Sequence, residues 1–319
     1  MNRSTLLRIL FTLAALVAAS LPARAALTCS ATQANLNFGT IDVTQNTSFS
    51  TQVAQTTTCS GGTPDAYIKL CWIFNAGSGG QSSGGSPRYM KNGSNLLAYD
   101  LYMDAAHQEV WNDWYWVATV RLDGSGNKTL NGFNDVYAKV NAGQQSVVPG
   151  AYSSTFSGGE VALIYGYASE GNCFGGLLNS SPTPVFDVTA TVPTVCSVSA
   201  STLNFGSTGV LTANVDSTTT VSATCTNGTP YTISLSLGSG AGVTLPTARK
   251  MTNAGATVTY GLYRDSGRTQ GWGSSIGTDI VAATGTGLAQ NHTVYGRIPA
   301  QTTPAPATYS DSIVVTVTY

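Results

Sequence analysis

Gly80-Gln81-Ser82-Ser83-Gly84 has the G-x-S-x-G spacing that presents a nucleophilic serine when it forms a strand-to-helix turn. It lies instead in a Gly/Ser-rich run, 76–86, with no helical periodicity behind it, and reads as a turn-forming segment. Such a serine also needs a base, and the imidazoles available are His107 and His292. Both read as solvated loop residues, His292 beside Asn291 just ahead of a repeated strand. Asp123-Gly124-Ser125-Gly126-Asn127 has the opening of a calcium loop, but Lys128 stands where glycine is required and Asn134 where a bidentate glutamate closes the site. A hairpin turn accounts for it. With no C-x-x-C and no histidine cluster, neither a metal nor a cofactor is expected, and no catalysis.

The remaining reactive side chains are six cysteines, whose even number suits disulfide pairing in an oxidising compartment. The N-terminus predicts such a compartment. Met1 to Ala25 carries Arg3 and Arg8, an apolar run from Ile9 to Ala19, and Ala23-Arg24-Ala25 as an A-x-A cleavage site. The mature chain is expected to begin at Ala26, and the apolar run is shorter than the roughly 20 residues a spanning helix needs.

The elements that position these residues are written twice. Cys29-x6-Leu36-Asn37-Phe38-Gly39 returns as Cys196-x6-Leu203-Asn204-Phe205-Gly206, and Cys59-x4-Pro64 returns as Cys225-x4-Pro230. Met90, Tyr99, Tyr102 and Trp111 keep the spacings of Met251, Tyr260, Tyr263 and Trp272, and 136–140 matches 294–298. A repeat on this scale predicts two homologous domains, 26–192 and 193–319. It also predicts equivalent local bridges, Cys29 with Cys59 and Cys196 with Cys225, which leaves Cys71 with Cys173 among the fifteen connectivities that six cysteines permit.

Charged residues are 9% of the chain, against roughly a quarter in ordinary domains, and the formal net charge is -1. That balance gives no electrostatic basis for binding nucleic acid or an anionic membrane. Alternating segments such as 67–74, 258–263 and 313–319 are punctuated by Gly, Pro and Asn, without a long helical period. The fold class is all-β, two tandem immunoglobulin-like β-sandwiches.

Over nearly the whole mature chain the sequence resembles the spore coat protein U domain family, whose members include the subunits of archaic chaperone-usher pili. The residues that carry the resemblance are the Cys29-x6-Leu36-Asn37-Phe38-Gly39 opening, Tyr260-Gly261-Leu262-Tyr263, Val294-Tyr295-Gly296-Arg297-Ile298-Pro299, and the ending 309–319, which begins Tyr309-Ser310-Asp311-Ser312. The resemblance implies pilin-type sandwiches lacking the final strand, which a periplasmic pilus chaperone and then the next pilin subunit supply at the outer-membrane usher.

The ending agrees with that implication, since Tyr319 directly follows an apolar strand bearing Ile313, Val315 and Val317, and such an edge is a docking site. The first domain differs. Val185, Phe186, Val188, Ala190 and Val192 belong to a segment, 185–192, with one apolar and one mostly polar face, expected to be that domain's own last strand. Only Ala26-Leu27-Thr28 would precede Cys29, so the mature chain is expected to accept a strand without giving one and therefore to end a fibre.

For a chain that ends a fibre the resemblance implies a tip adhesin, secreted through the periplasm to the cell surface, attaching to an abiotic or host surface and promoting biofilm formation. The contact is expected in the loops opposite the linker, near 60–66, within 104–134, and 168–184. There Trp114, Tyr115 and Trp116, and Phe174, Leu177 and Leu178, are apolar residues that turns do not require. A Cys71–Cys173 bridge would stiffen the last of these loops. The alternatives are a carbohydrate-binding tip lectin, with Asn112 or Asp113 beside the aromatics, and a coat or fibre component that binds nothing.

Overall fold

The structure, a computed structural model, describes residues 26–111, 116–132, 135–173, 179–181 and 184–319, without the side chain of Trp116. The expected signal sequence lies outside the described residues.

Strand-forming alternation is carried directly into burial. Along Phe186–Val192 the residues Phe186, Val188, Ala190 and Val192 are buried, while Asp187 and Thr189 are half-buried and Thr191 is exposed. Turns follow the same local logic. The hairpin joining Arg249–Asn253 to Ala256–Tyr263 turns on Ala254 and Gly255 at φ 46° and 89°, the paired positive φ values of a type I′ turn.

The buried side chains form two clusters, one contributed by Leu27 to Val192 and the other by Leu211 to Ile298. Around the first lies a seven-stranded sheet in the order Leu36–Thr40, Phe186–Val192, Gly150–Phe156, Arg88–Asn92, Asn95–Tyr102, Val136–Val140, Phe49–Val53. It faces a four-stranded sheet ordered Asn179–Ser181, Val161–Tyr167, Tyr67–Phe74, Trp116–Arg121. A third sheet joins Thr28–Gln33, Gln55–Ser60 and Lys128–Asn131.

The second cluster has a five-stranded sheet ordered Cys196–Ala200, Val215–Cys225, Ala289–Ile298, Ala256–Tyr263, Arg249–Asn253, and a three-stranded one ordered Val281–Thr284, Pro230–Leu235, Val315–Thr318. All-β sandwich architecture is thus observed in both halves of the repeat.

The repeat extends to buried chemistry. Arg88 is fully buried and donates to the carbonyls of Phe74, Asn75 and Trp111; Arg249, also fully buried, donates to those of Leu235, Ser236 and Trp272. Each guanidinium fastens the end of a core strand to the segment carrying a buried tryptophan, Trp111 or Trp272, so the matched tryptophans are packing residues. All three disulfides are present as Cys29–Cys59, Cys71–Cys173 and Cys196–Cys225.

At the junction Thr226 is buried, donates its hydroxyl to Pro193 O at 3.1 Å, and pairs through its backbone with Val195. Asn227 Nδ2 also reaches Ser146 O at 2.6 Å.

Candidate functional site: a strand-shaped groove

The site emerges when one strand position is followed through both halves. In the first half Gly150–Phe156 is paired on one flank with Arg88–Asn92 at Ser153–Lys91, and on the other along its length with Phe186–Val192. Phe186–Val192 in turn runs parallel to Leu36–Thr40, so it is a central strand of its sheet.

The corresponding segment of the second half is 308–313, fixed by two shared details. Tyr152 Oη donates to Val148 O at 2.8 Å, as Tyr309 Oη donates to Ala305 O at 2.8 Å. Ser310 bridges Thr252 as Ser153 bridges Lys91. The partner of Leu36–Thr40 is equally clear. Asn37 Oδ1 accepts Gly39 N–H at 2.7 Å, Asn204 Oδ1 accepts Gly206 N–H at 2.7 Å, and Gly39 and Gly206 have φ of 69° and 75°.

Between 203–206 and 308–313, no strand among the described residues takes the place that Phe186–Val192 takes in the first half. A cleft of about 480 Å³ remains, lined among others by Leu203, Phe205, Tyr260, Tyr309, Asp311 and Ile313. A second cleft of about 580 Å³ continues past Leu203 and Phe205 to Leu211 and Ile298. Where Leu36 and Met90 are buried beneath the inserted strand, Leu203 and Met251 are only half-buried. Apolar side chains that their counterparts hide from water line this groove.

The terminal strand is placed differently from the sequence expectation. Residues Val315–Thr318 are hydrogen-bonded to Pro230–Leu235, as Val161–Tyr167 is to Tyr67–Phe74, so this edge is half-satisfied and the open ladder lies ahead of it at 308–313. Ile313, Val315 and Val317 are half-buried against the second cluster, and Tyr319 is 56% exposed. Val185 is also displaced from its expected role: it precedes the strand and is exposed.

Of the residues expected to make contact, Trp114, Tyr115, Phe174, Leu177 and Leu178 lie outside the described residues. Trp116 is not in a loop. It opens Trp116–Arg121 opposite Trp72, at the end of the strand remote from the turn at 122–127. Among the described residues the 104–134 region contains two strands, Trp116–Arg121 and Lys128–Asn131, and 168–184 contains a third, Asn179–Ser181. The 60–66 and 122–127 turns do meet, Gly62 N–H donating to Gly126 O at 3.0 Å and Thr63 N–H to Tyr167 Oη at 2.9 Å.

The reactive-looking residues are occupied locally. Ser82 Oγ donates to Ser86 O within its turn, and Asp123 Oδ1 accepts Ser125 and Asn127 N–H, closing the hairpin turn expected there. His107 packs edge-on to Tyr102 and Tyr137. His292 is not a loop residue: it lies within Ala289–Ile298, half-buried, with Nε2 2.9 Å from Tyr231 Oη.

Burial holds the His292 pKa below its ordinary 6.5. The unfolded chain therefore binds this proton at a pH where the folded chain does not. The contribution of neutral His292 is complete above about pH 6.5 and declines as the pH falls toward the folded value. Urea midpoints measured from pH 7 to 5 should fall over this range, and His292→Gln should flatten that part of the profile; an unchanged slope in the variant would contradict the assignment.

Comparison with known proteins follows the repeat. The model of the Spore Coat Protein U domain matches residues 13–158 and again 183–316. Protein U of Myxococcus xanthus is 33% identical over 146 residues, covering 41% of this chain and 80% of that protein. The fold is similar to a chain of the CsuC–CsuE chaperone–tip adhesion subunit pre-assembly complex from archaic chaperone-usher Csu pili of Acinetobacter baumannii, with TM-score 0.53 and 16% identity over 92% of this chain and 100% of that one. The CupB6 tip adhesin from Pseudomonas aeruginosa matches with TM-score 0.39 and 14% identity over 91% and 94%.

Proposed function

The chain belongs to the Spore Coat Protein U domain family, and from that premise we propose that it is the tip adhesin of an archaic chaperone-usher pilus. Residues 26–192 form an adhesin domain completed by its own last strand. Residues 193–319 form a pilin domain that takes its last strand from a periplasmic chaperone and then, at the outer-membrane usher, from the next subunit.

The observation that carries this reading is the contrast between equivalent positions: Phe186–Val192 fills the strand site of the first half, and the same site of the second half is an apolar groove. Strand addition satisfies both the open ladder at 308–313 and the half-exposed lining. The capping position is part of the same reading. Among the described residues the first strand, Thr28–Gln33, is engaged with Gln55–Ser60 and bridged to it by Cys29–Cys59, so it is not free to complete a neighbour.

Adhesion belongs to the first domain, through the apolar residues Trp114, Tyr115, Phe174, Leu177 and Leu178, and serves attachment and biofilm formation on apolar surfaces. The test combines assembly with attachment. Immunogold labelling should place the protein at fibre ends. A Phe174, Leu177 and Leu178 to Ser triple variant should leave those fibres intact and lose attachment to hydrophobic plastic. Labelling along the fibre length would reject the capping role; attachment blocked by soluble glycans but not by the triple change would establish a lectin instead.

A further inference from the structure

The groove differs from its filled counterpart in charge as well as occupancy. In the first half Ser154, fully buried, faces Val188 of the inserted strand, and the carboxylate near buried Arg88 is Asp100, 4.0 Å away on the neighbouring strand. In the second half the counterpart of Asp100 is Gly261, and the counterpart of Ser154 is Asp311. The carboxylate has moved into the floor of the groove, where the incoming strand must cover it.

Asp311 is held rigidly there. Oδ1 accepts Ser239 N–H at 2.7 Å, Ser239 Oγ–H at 2.8 Å and Ser312 N–H at 2.8 Å, while Oδ2 accepts Tyr260 Oη–H at 2.7 Å. Each carboxylate oxygen carries two lone pairs, so Oδ2, with one hydrogen-bond partner among the described residues, retains acceptor capacity in a residue that lines the open cleft. Asp311 is half-buried, so solvent reaches it while the groove is open. A strand seated as Phe186–Val192 is seated in the first half would put one side chain directly opposite Asp311, at a Cβ separation of about 4.5–5.5 Å, and would exclude that solvent. An apolar residue then strands a desolvated charged acceptor, whereas a hydroxyl replaces the lost bond with a charge-assisted one.

We infer that Asp311 determines which strand the groove takes: the residue entering opposite it carries a hydrogen-bond donor, serine or threonine, where the first domain's own strand carries Val188. The inference rests on the groove accepting a strand, as proposed above. Its consequence is discrimination against apolar strands such as 186–192 itself, so that copies of this chain do not complete one another.

Two synthetic peptides test it on the full-length chain, one with the sequence of residues 184–193 and one identical except for V188T, since threonine and valine differ little in shape. The threonine peptide should bind the wild-type chain about ten-fold or more tightly. D311S, which installs the first domain's residue, should reduce that ratio to within about three-fold, whatever it does to either affinity alone. Equal binding of both peptides to wild type, tighter binding of the valine peptide, or a ratio unchanged in D311S would overturn the inference. If D311S does not fold, the wild-type ratio decides. Binding of neither peptide would instead overturn the strand-accepting groove, and this inference with it.

Discussion

Phe186→Ala is expected to lower the unfolding free energy of the first half by about 3–5 kcal/mol, the range for truncating a fully buried phenylalanine. The ring is 1% exposed, stacks on Phe156 at 4.7 Å between centroids with 4° between planes, and meets Phe74 edge-on at 5.8 Å. Its removal leaves a cavity between the two facing sheets, because Phe74 and Phe156 are themselves fixed by ladder hydrogen bonds and cannot close the gap. Urea unfolding of the full chain, followed by tryptophan fluorescence, should show the loss in the transition reporting Trp72 and Trp111. Thr191→Ala, at an exposed position of the same strand, should change stability by less than about 0.5 kcal/mol. Equal effects of the two changes would mean that the strand contributes no core of its own.

The converse change should stabilise the second half. Joining a further strand behind Tyr319 through a short Gly/Asn linker, with apolar residues at alternate positions and threonine opposite Asp311, is expected to raise the stability of that half by about 4 kcal/mol or more. Each buried valine- or phenylalanine-sized side chain is worth about 1.5–3 kcal/mol, against the entropy of ordering the added residues. Hydrogen exchange gives the more specific readout. Amides within 308–313, which form the single bridge Ser310–Thr252, should pass from rapid to strongly protected exchange. Enhanced thermal stability without protection at 308–313 would show that the added segment binds elsewhere and that the groove is not its site.

Both expectations concern one strand position, and the repeat made much of it legible in advance. Phe186, Val188, Ala190 and Val192 announce a half-buried strand by alternation alone, since side chains on a pleated backbone point to opposite faces every second residue. The matched Cys29/Cys59 and Cys196/Cys225 spacings predicted local bridges, and the Asn37-Phe38-Gly39 and Asn204-Phe205-Gly206 turns repeat to the same hydrogen bond, because an Asn side chain capping its own backbone two residues on is a local interaction.

What depended on pairing partners was not legible. Alternation in 313–319 identifies a strand but not which neighbour it takes, and only the assembled sheets assign Val315–Thr318 to Pro230–Leu235 and leave 308–313 open. Trp116 and Asn179–Ser181 looked like loop because short or aromatic-rich stretches take their strand character from the ladders beside them. Asp311 is the sharpest case. In sequence it is one polar residue in a terminal motif; its position on the groove floor, bonded to Tyr260 and Ser239, exists only once segments 51 and 72 residues apart along the chain are brought together. By itself the sequence determined the all-β class, the repeat and the turns, all set by local sterics and side-chain period. The tertiary structure decided which edge is unfilled and what chemistry lines it, because non-local hydrogen bonding and burial depend on contacts that no short window of residues contains.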